Sequence, residues 1–134
     1  MTATEHSINW LPNDVDPGTD GRWPAMHGIR VLDFTRAQQG PFATLLLADM
    51  GAEVLKVEPP GGESGRGNGL DADGFSSYFE GHNRGKKSIT LDLKVSGALE
   101  ATKRLIPTCD VVVDNFRPGV MERLGLGYED LKEL

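Results

Sequence analysis

The sequence predicts an α/β fold built on a parallel sheet, and three observations carry that expectation. Residues 29–34 (IRVLDF) form a short run that begins and ends apolar, as a strand buried on both faces requires. Residues 52–58 (AEVLKVE) form a second such run. Between them, residues 41–50 (PFATLLLADM) have helical character and only Thr44 and Asp49 as polar members. Two strands joined through one helix run parallel, with a right-handed crossover.

Each element follows from local chemistry. Pro41 fits the first position of the helix, where a missing N–H costs nothing. A helix apolar nearly all round is expected to be buried nearly all round. Gly51 stands where a left-handed cap would end it. Before this unit, residues 1–27 are rich in Pro, Gly, Asp and Asn and show no sustained period, so they read as an extended, flexible arm. Trp10 and Trp23 are candidate anchors for that arm, and the main domain runs over 28–134.

After Glu58, residues 59–74 are glycine-rich and without period, either a functional loop or a plain connector. Aromatics return in residues 75–79 (FSSYF), followed by GHNRGKK at 81–87, the most basic patch of the chain. Three cations in four positions can grip phosphate groups, and a solvated turn would look the same. Residues 88–93 (SITLDL) alternate as a third strand. Ser96 is placed to cap a helix with Leu99, Thr102, Leu105 and Ile106 along one face, which Pro107 closes. Residues 110–114 (DVVVD) are a fourth strand, short and apolar like a buried parallel one. A helix is expected from Arg117-Pro118 to about Leu124, and an amphipathic turn from Tyr128.

Composition narrows the function. With 14 basic and 20 acidic side chains the net charge is −6, which argues against general nucleic-acid binding. An anionic ligand would need locally concentrated Lys and Arg. The single cysteine, Cys109, allows no disulfide framework and opens an apolar strand, so it reads as a buried small hydrophobe in a reducing, cytoplasmic setting. No run approaches a membrane span, and His6 and His27 lack ligand-spaced companions, so neither a membrane nor a metal is expected.

In open parallel sheets, ligands gather outside the carboxyl ends of the strands. Those ends are the loop 35–40 (TRAQQG), the segment after Glu58, and residues 115–119 (NFRPG). The first loop has only Gly40 and does not match the three-glycine dinucleotide fingerprint, so a nicotinamide or flavin cofactor is not indicated. It does lead into a helix N-terminus, which favours an anion or a polar carbonyl. Gln38 and Gln39 can serve such a ligand or simply satisfy loop backbone. Asp33, at the end of the first strand, reads as a cap for the loop rather than a catalyst.

Three segments together resemble the class III CoA-transferases, a family that includes formyl-CoA and carnitine CoA-transferases and related acyl-CoA racemases. They are VLDFTRAQQGPFATLLLADMGAEVLKVEPPGG, HNRGKKSITLDLK and DVVVDNFRPGVMERLGLGYEDL, which cover nearly all of 28–134. The resemblance implies a Rossmann-like parallel sheet, of which this chain would be the first half of the large domain. It implies coenzyme A and acyl-CoA as substrates, a carboxylic acid as acceptor, and no tightly bound cofactor. By the same resemblance, Gln38 lies near the thioester and Ala37 lines the pocket. Lys86, Asn115, Phe116, Arg117 and Arg123 are the implied CoA contacts. Some relatives carry an arginine just after the second strand, where this chain has Pro59 and Pro60.

The family nucleophile is an aspartate that attacks the acyl-CoA, and it lies beyond the segment ending in GLGYEDL. The resemblance therefore implies an N-terminal CoA-binding portion without the catalytic residue, inactive alone. Full-length relatives form interlocked homodimers. Two alternatives share the fold: an α-methylacyl-CoA racemase, or a non-catalytic CoA-binding subunit completed by another chain. A parallel sheet ending here would leave an edge and a helix face uncovered, so the isolated chain is expected to associate.

Overall fold

The computed structural model describes residues 23–132 and 134. Four strands form one all-parallel sheet in the order β3-β2-β1-β4: β1 (Arg30–Asp33), β2 (Glu53–Glu58), β3 (Lys87–Thr90) and β4 (Val111–Val113). Five helices accompany them: α1 (Gln39–Asp49), α2 (Ser77–Asn83), α3 (Ser96–Leu105), α4 (Val120–Arg123) and α5 (Tyr128–Leu131). The expected α/β class and parallel connection are both present.

Strand alternation sorts the core into two layers. Leu32, Phe34, Leu55 and Val57 pack with Leu93, Ile106, Met121 and Leu126 on one face of the sheet. Val31, Ala52 and Val54 pack with Met26, Ile29, Leu47 and Ala48 on the other. On that second face β2 continues as Lys56 and Glu58, both buried, beside the buried Asp33 of β1. Charged residues therefore occupy the carboxyl end of an otherwise apolar layer.

Helix α1 begins two residues earlier than its proline suggests. Pro41 sits third, still in the first turn, where backbone N–H groups have no partner within the helix. Its C-terminus closes as expected at Gly51, with φ +96°: Gly51 N–H donates to Ala48 O and Ala52 N–H to Leu47 O. The expectation of near-complete burial fails. Pro41, Thr44 and Leu45 are buried against the sheet, whereas Phe42, Leu46 and Met50, spaced four apart, are 49%, 46% and 40% exposed. The helix is apolar all round, but the cover on that side is partial among the described residues: the His82 ring of α2 meets Phe42 edge-on at 6.2 Å, and all three side chains stay exposed.

Other departures are local. Ser96 is the first residue of α3 rather than its cap; Val95 holds the cap position without a side-chain bond. The glycine-rich segment contains a 3-10 turn (Ser64–Gly67), and α2 follows where only aromatics and charge were evident. Ser76 caps α2 through Phe79 N–H at 2.9 Å. β4 is an edge strand, and Val111 is 39% exposed, because nothing pairs its outer side among the described residues. α4 starts at Val120, since Gly119 adopts φ +81°. Of the amino-terminal arm, residues 1–22 lie outside the described residues. Residues 23–27 lie against the body: Met26 packs on Val31 and Val54, and Trp23 stacks on His27 at 4.0 Å.

Candidate functional site

The strand order reverses between β1 and β4, since β2 and β3 build out on one side of β1 and β4 on the other. Loops leaving such a switch point part in opposite directions and open a crevice at the carboxyl ends of the strands. A cleft of about 630 Å³ lies there. Every strand contributes to it: Arg36 after β1, Pro59 and Pro60 after β2, Leu91 to Lys94 after β3, and Phe116 and Arg117 after β4. Val120 and Leu124 of α4 add apolar wall. Three cations (Arg36, Lys94, Arg117) against one carboxylate (Asp92) give this cleft the opposite sign to the chain as a whole. Its size is that of a small-molecule site.

The loop from β1 to α1 is held unusually firmly. Asn115 accepts Arg36 N–H through Oδ1 and donates through Nδ2 to Arg36 O, both at 2.9 Å, so one side chain ties the β1 and β4 loops together. The Arg36 guanidinium lies 4.9 Å from the centre of the Phe116 ring, a cation–π contact at the mouth of the cleft. Ala37 adopts φ +67°, a left-handed conformation uncommon outside glycine. Gln38 occupies the cap position of α1 yet makes no side-chain cap bond and is exposed. An exposed amide beside a helix N-terminus can hold a carbonyl or an anion.

Beneath that loop lie three ion pairs, Asp33 with Lys86, Glu63 with Lys56, and Glu58 with Arg66; all of these side chains are buried except Arg66, which reaches in from the surface. Asp33 Oδ1 accepts Thr35 N–H at 2.8 Å and its hydroxyl at 2.5 Å, and Oδ2 accepts Thr44 Oγ1 at 2.6 Å and Lys86 Nζ at 3.1 Å. Lys86 Nζ also meets Pro41 O, Thr44 Oγ1 and Asn83 Oδ1 between 2.8 and 2.9 Å. Burial pushes its ammonium below the ordinary lysine value, against the pull of Asp33. Glu58 is raised by burial, but bonds from Arg66, Ser88 and Glu63 N–H outweigh this and leave the carboxyl at about 2. Arg66 binds it with two nitrogens, each at 2.7 Å, and stacks 3.8 Å from the Phe79 ring.

Of the residues singled out from the sequence, the structure brings Phe116 and Arg117 to the cleft wall and Asn115, Ala37 and Gln38 to the adjoining loops. Arg123 is exposed on α4, outside the cleft lining, with Nη1 near Gly119. Lys86 stands with its side chain 1% exposed and four oxygen acceptors around its ammonium, a brace between β1, α1 and α2. The rest of the basic patch is also engaged: Arg84 with Asp49 at 2.6 Å, Lys87 with Glu53 at 2.5 Å. Asp33 caps the loop, as its position in the sequence suggested.

Sequence reasoning passed over Arg36, Lys94, Lys56 and Glu63. Arg36 had a signal, being the one cation in the loop that leaves the carboxyl end of β1. Lys56 and Glu58 had another: two charges at alternate positions of an apolar strand put both on one covered face. Among the described residues no cluster of His, Cys, Asp and Glu suits a metal, and no helix is long and apolar enough to cross a membrane.

Comparison with known proteins gives this geometry a context. The model of CoA-transferase family III matches residues 26–134. A probable fatty acyl-CoA transferase of Mycobacterium tuberculosis is 50% identical over 110 residues, covering 80% of this chain and 28% of the relative. A succinyl-CoA:mesaconate CoA-transferase of Haloarcula hispanica is 46% identical over 114 residues, covering 81% of this chain and 29% of the relative. The crystal structure of a CaiB/BaiF family protein from Brucella suis superposes with a TM-score of 0.76 at 38% identity, over 81% of this chain and 30% of that one. The chain thus spans under a third of the length of these relatives.

Proposed function

The chain belongs to CoA-transferase family III, and on that premise we propose that its cleft binds coenzyme A for an enzyme that moves CoA between an acyl thioester and a carboxylic acid. The observation that carries the reading is the cationic cleft at the switch point, lined from all four strand ends. An acidic protein needs such a local concentration of positive charge to hold a ligand with several phosphates. Arg36 and Arg117 offer planar forks to phosphate oxygens and Lys94 a point charge. Pro59, Pro60, Leu91 and Leu93 supply apolar surface for the rest of the molecule.

The thioester end would lie toward Gln38 and the N-terminus of α1. There a carbonyl oxygen gaining negative charge meets the side-chain amide and the free N–H groups of the first turn. Ala37 keeps that approach open by presenting only a methyl group. Lys86 serves the site indirectly, by holding α1 and α2 against β1. Arg123 stands on α4 where it can meet phosphate leaving the cleft. The acyl transfer needs an accessible carboxylate nucleophile, and Asp33 is fully buried with both oxygens engaged. Asp33 therefore does not fill that role, and the resemblance to the family implies a nucleophilic aspartate beyond the segment ending in GLGYEDL.

Calorimetric titration of the chain with CoA tests the reading. Saturable binding that Arg117→Ala weakens about tenfold is expected for the loss of one charge-assisted contact. A folded chain that takes up no CoA would overturn it.

A further inference from the structure

The residues that place Arg36 in the cleft do not themselves touch it. Arg36 lies between two peptide units, and all four of their polar groups are held by side chains from elsewhere in the fold. Lys56 Nζ donates to Thr35 O at 2.7 Å, and Asn115 takes Arg36 N–H and O. Glu63 Oε1 accepts Ala37 N–H at 3.4 Å. Lys56 and Glu63 are joined to each other at 3.1 Å, with both side chains 1% exposed. One member of this ion pair therefore grips the carbonyl before Arg36 and the other the N–H after it.

The pair is itself built into place. Glu63 N–H donates to Glu58 Oε2 at 3.0 Å, and Glu63 Oε1 accepts Gly65 N–H at 2.9 Å. A Cβ at Gly65 would meet Glu63 Oε1 at 2.5 Å and Tyr78 Cε1 at 3.3 Å, so the backbone passes this carboxylate too closely for any side chain. Glu63 Oε2 is buried without a hydrogen bond, 3.1 Å from the Lys56 ammonium. A buried charge arranged so narrowly is costly to maintain for packing alone. Ala37, whose N–H this carboxylate accepts, stands at φ +67° directly after Arg36.

We propose that Lys56 and Glu63 are positioning residues for Arg36, and through it for the phosphate-bearing ligand of the cleft. The inference rests on the CoA reading for its ligand but not for its geometry. It predicts that the pair acts on binding only while Arg36 is present.

A double-mutant cycle on the 134-residue chain tests this, with CoA affinity read by calorimetry and the fold by thermal melt. Arg36→Ala is expected to weaken CoA binding about tenfold, and Glu63→Gln, which keeps the shape and removes the charge, several-fold. The double variant is expected to bind as Arg36→Ala does. Wild-type affinity in Glu63→Gln, or losses that multiply in the double variant, would overturn the proposal. A second measurement needs neither ligand nor variant: hydrogen exchange at the Arg36 and Ala37 amides. Both protons are expected to exchange at least tenfold slower than in an unstructured chain. Free exchange at Ala37 overturns the proposal even if CoA binds. Protection without CoA binding upholds the clamp and removes the CoA reading alone.

Discussion

Replacing Lys86 by methionine separates two roles that a lysine at this position can have. As a ligand contact it would be exposed and its loss would weaken binding; as a brace its loss would weaken the fold. Its ammonium is enclosed by Asp33 Oδ2, Pro41 O, Thr44 Oγ1 and Asn83 Oδ1 within 2.8 to 3.1 Å. Methionine fills the volume but leaves the Asp33 carboxylate buried without a counter-charge and three further acceptors short of a donor. Removing one partner of a buried pair costs about 3–5 kcal/mol. A domain of about 110 residues has a total stability on the order of 5–15 kcal/mol. Lys86→Met is therefore expected to remove a large part of the stability and to lower Tm by ~10–20 °C. Urea unfolding followed by circular dichroism reads the change. Adding Asp33→Asn should return some of it, because the unpaired charge is then gone. A loss below about 1 kcal/mol would refute the brace, and unchanged stability with weakened CoA binding would make Lys86 a ligand contact instead.

Three other outcomes follow from the same contacts. Glu58 has a folded pKa of about 2 against an ordinary 4.5, so its stabilisation is present above pH 4.5 and is lost as pH falls toward 2. Acid titration of stability should show a fall on the order of 2–3 kcal/mol across that window, and Glu58→Gln should flatten it. Gly51→Ala forces φ +96° on an L residue and drives its Cβ to 2.4 Å from Pro24 Cβ, so denaturant unfolding should show a loss of about 1–3 kcal/mol. Burial raises the Cys109 thiol above its ordinary pKa, so alkylation by iodoacetamide at pH 7 should run slower than for a free thiol.

Much of the fold was legible because its signals are local. The paired apolar runs, the helix between them and Gly51 specify a parallel β-α-β unit, and the structure has it. What escaped the sequence depends on contacts between distant segments. α2 is short, with apolar and polar residues mixed, and takes its stability from the Ser76 cap and from Phe79 under Arg66. The basic patch around Arg84, Lys86 and Lys87 looked like a phosphate grip because the sequence does not show that Asp49, Asp33 and Glu53 stand opposite. In the cleft, Phe116 and Arg117 were legible from their place after the fourth strand. Arg36 was visible as a loop cation, but its link to Asn115, 79 positions away, was not.

The central claim is that the cleft between the β1 and β4 loops binds coenzyme A. The most direct test is a calorimetric titration of CoA into the wild-type chain and into an Arg36→Ala/Arg117→Ala variant, with circular dichroism confirming that both are folded. Two of the three cleft cations are then gone, and each charge-assisted contact is worth about 1.5–3 kcal/mol. Saturable binding to the wild type, at least tenfold weaker or absent in the variant, is the predicted result. Equal affinity in the two proteins, or no binding to a folded wild type, would contradict the account.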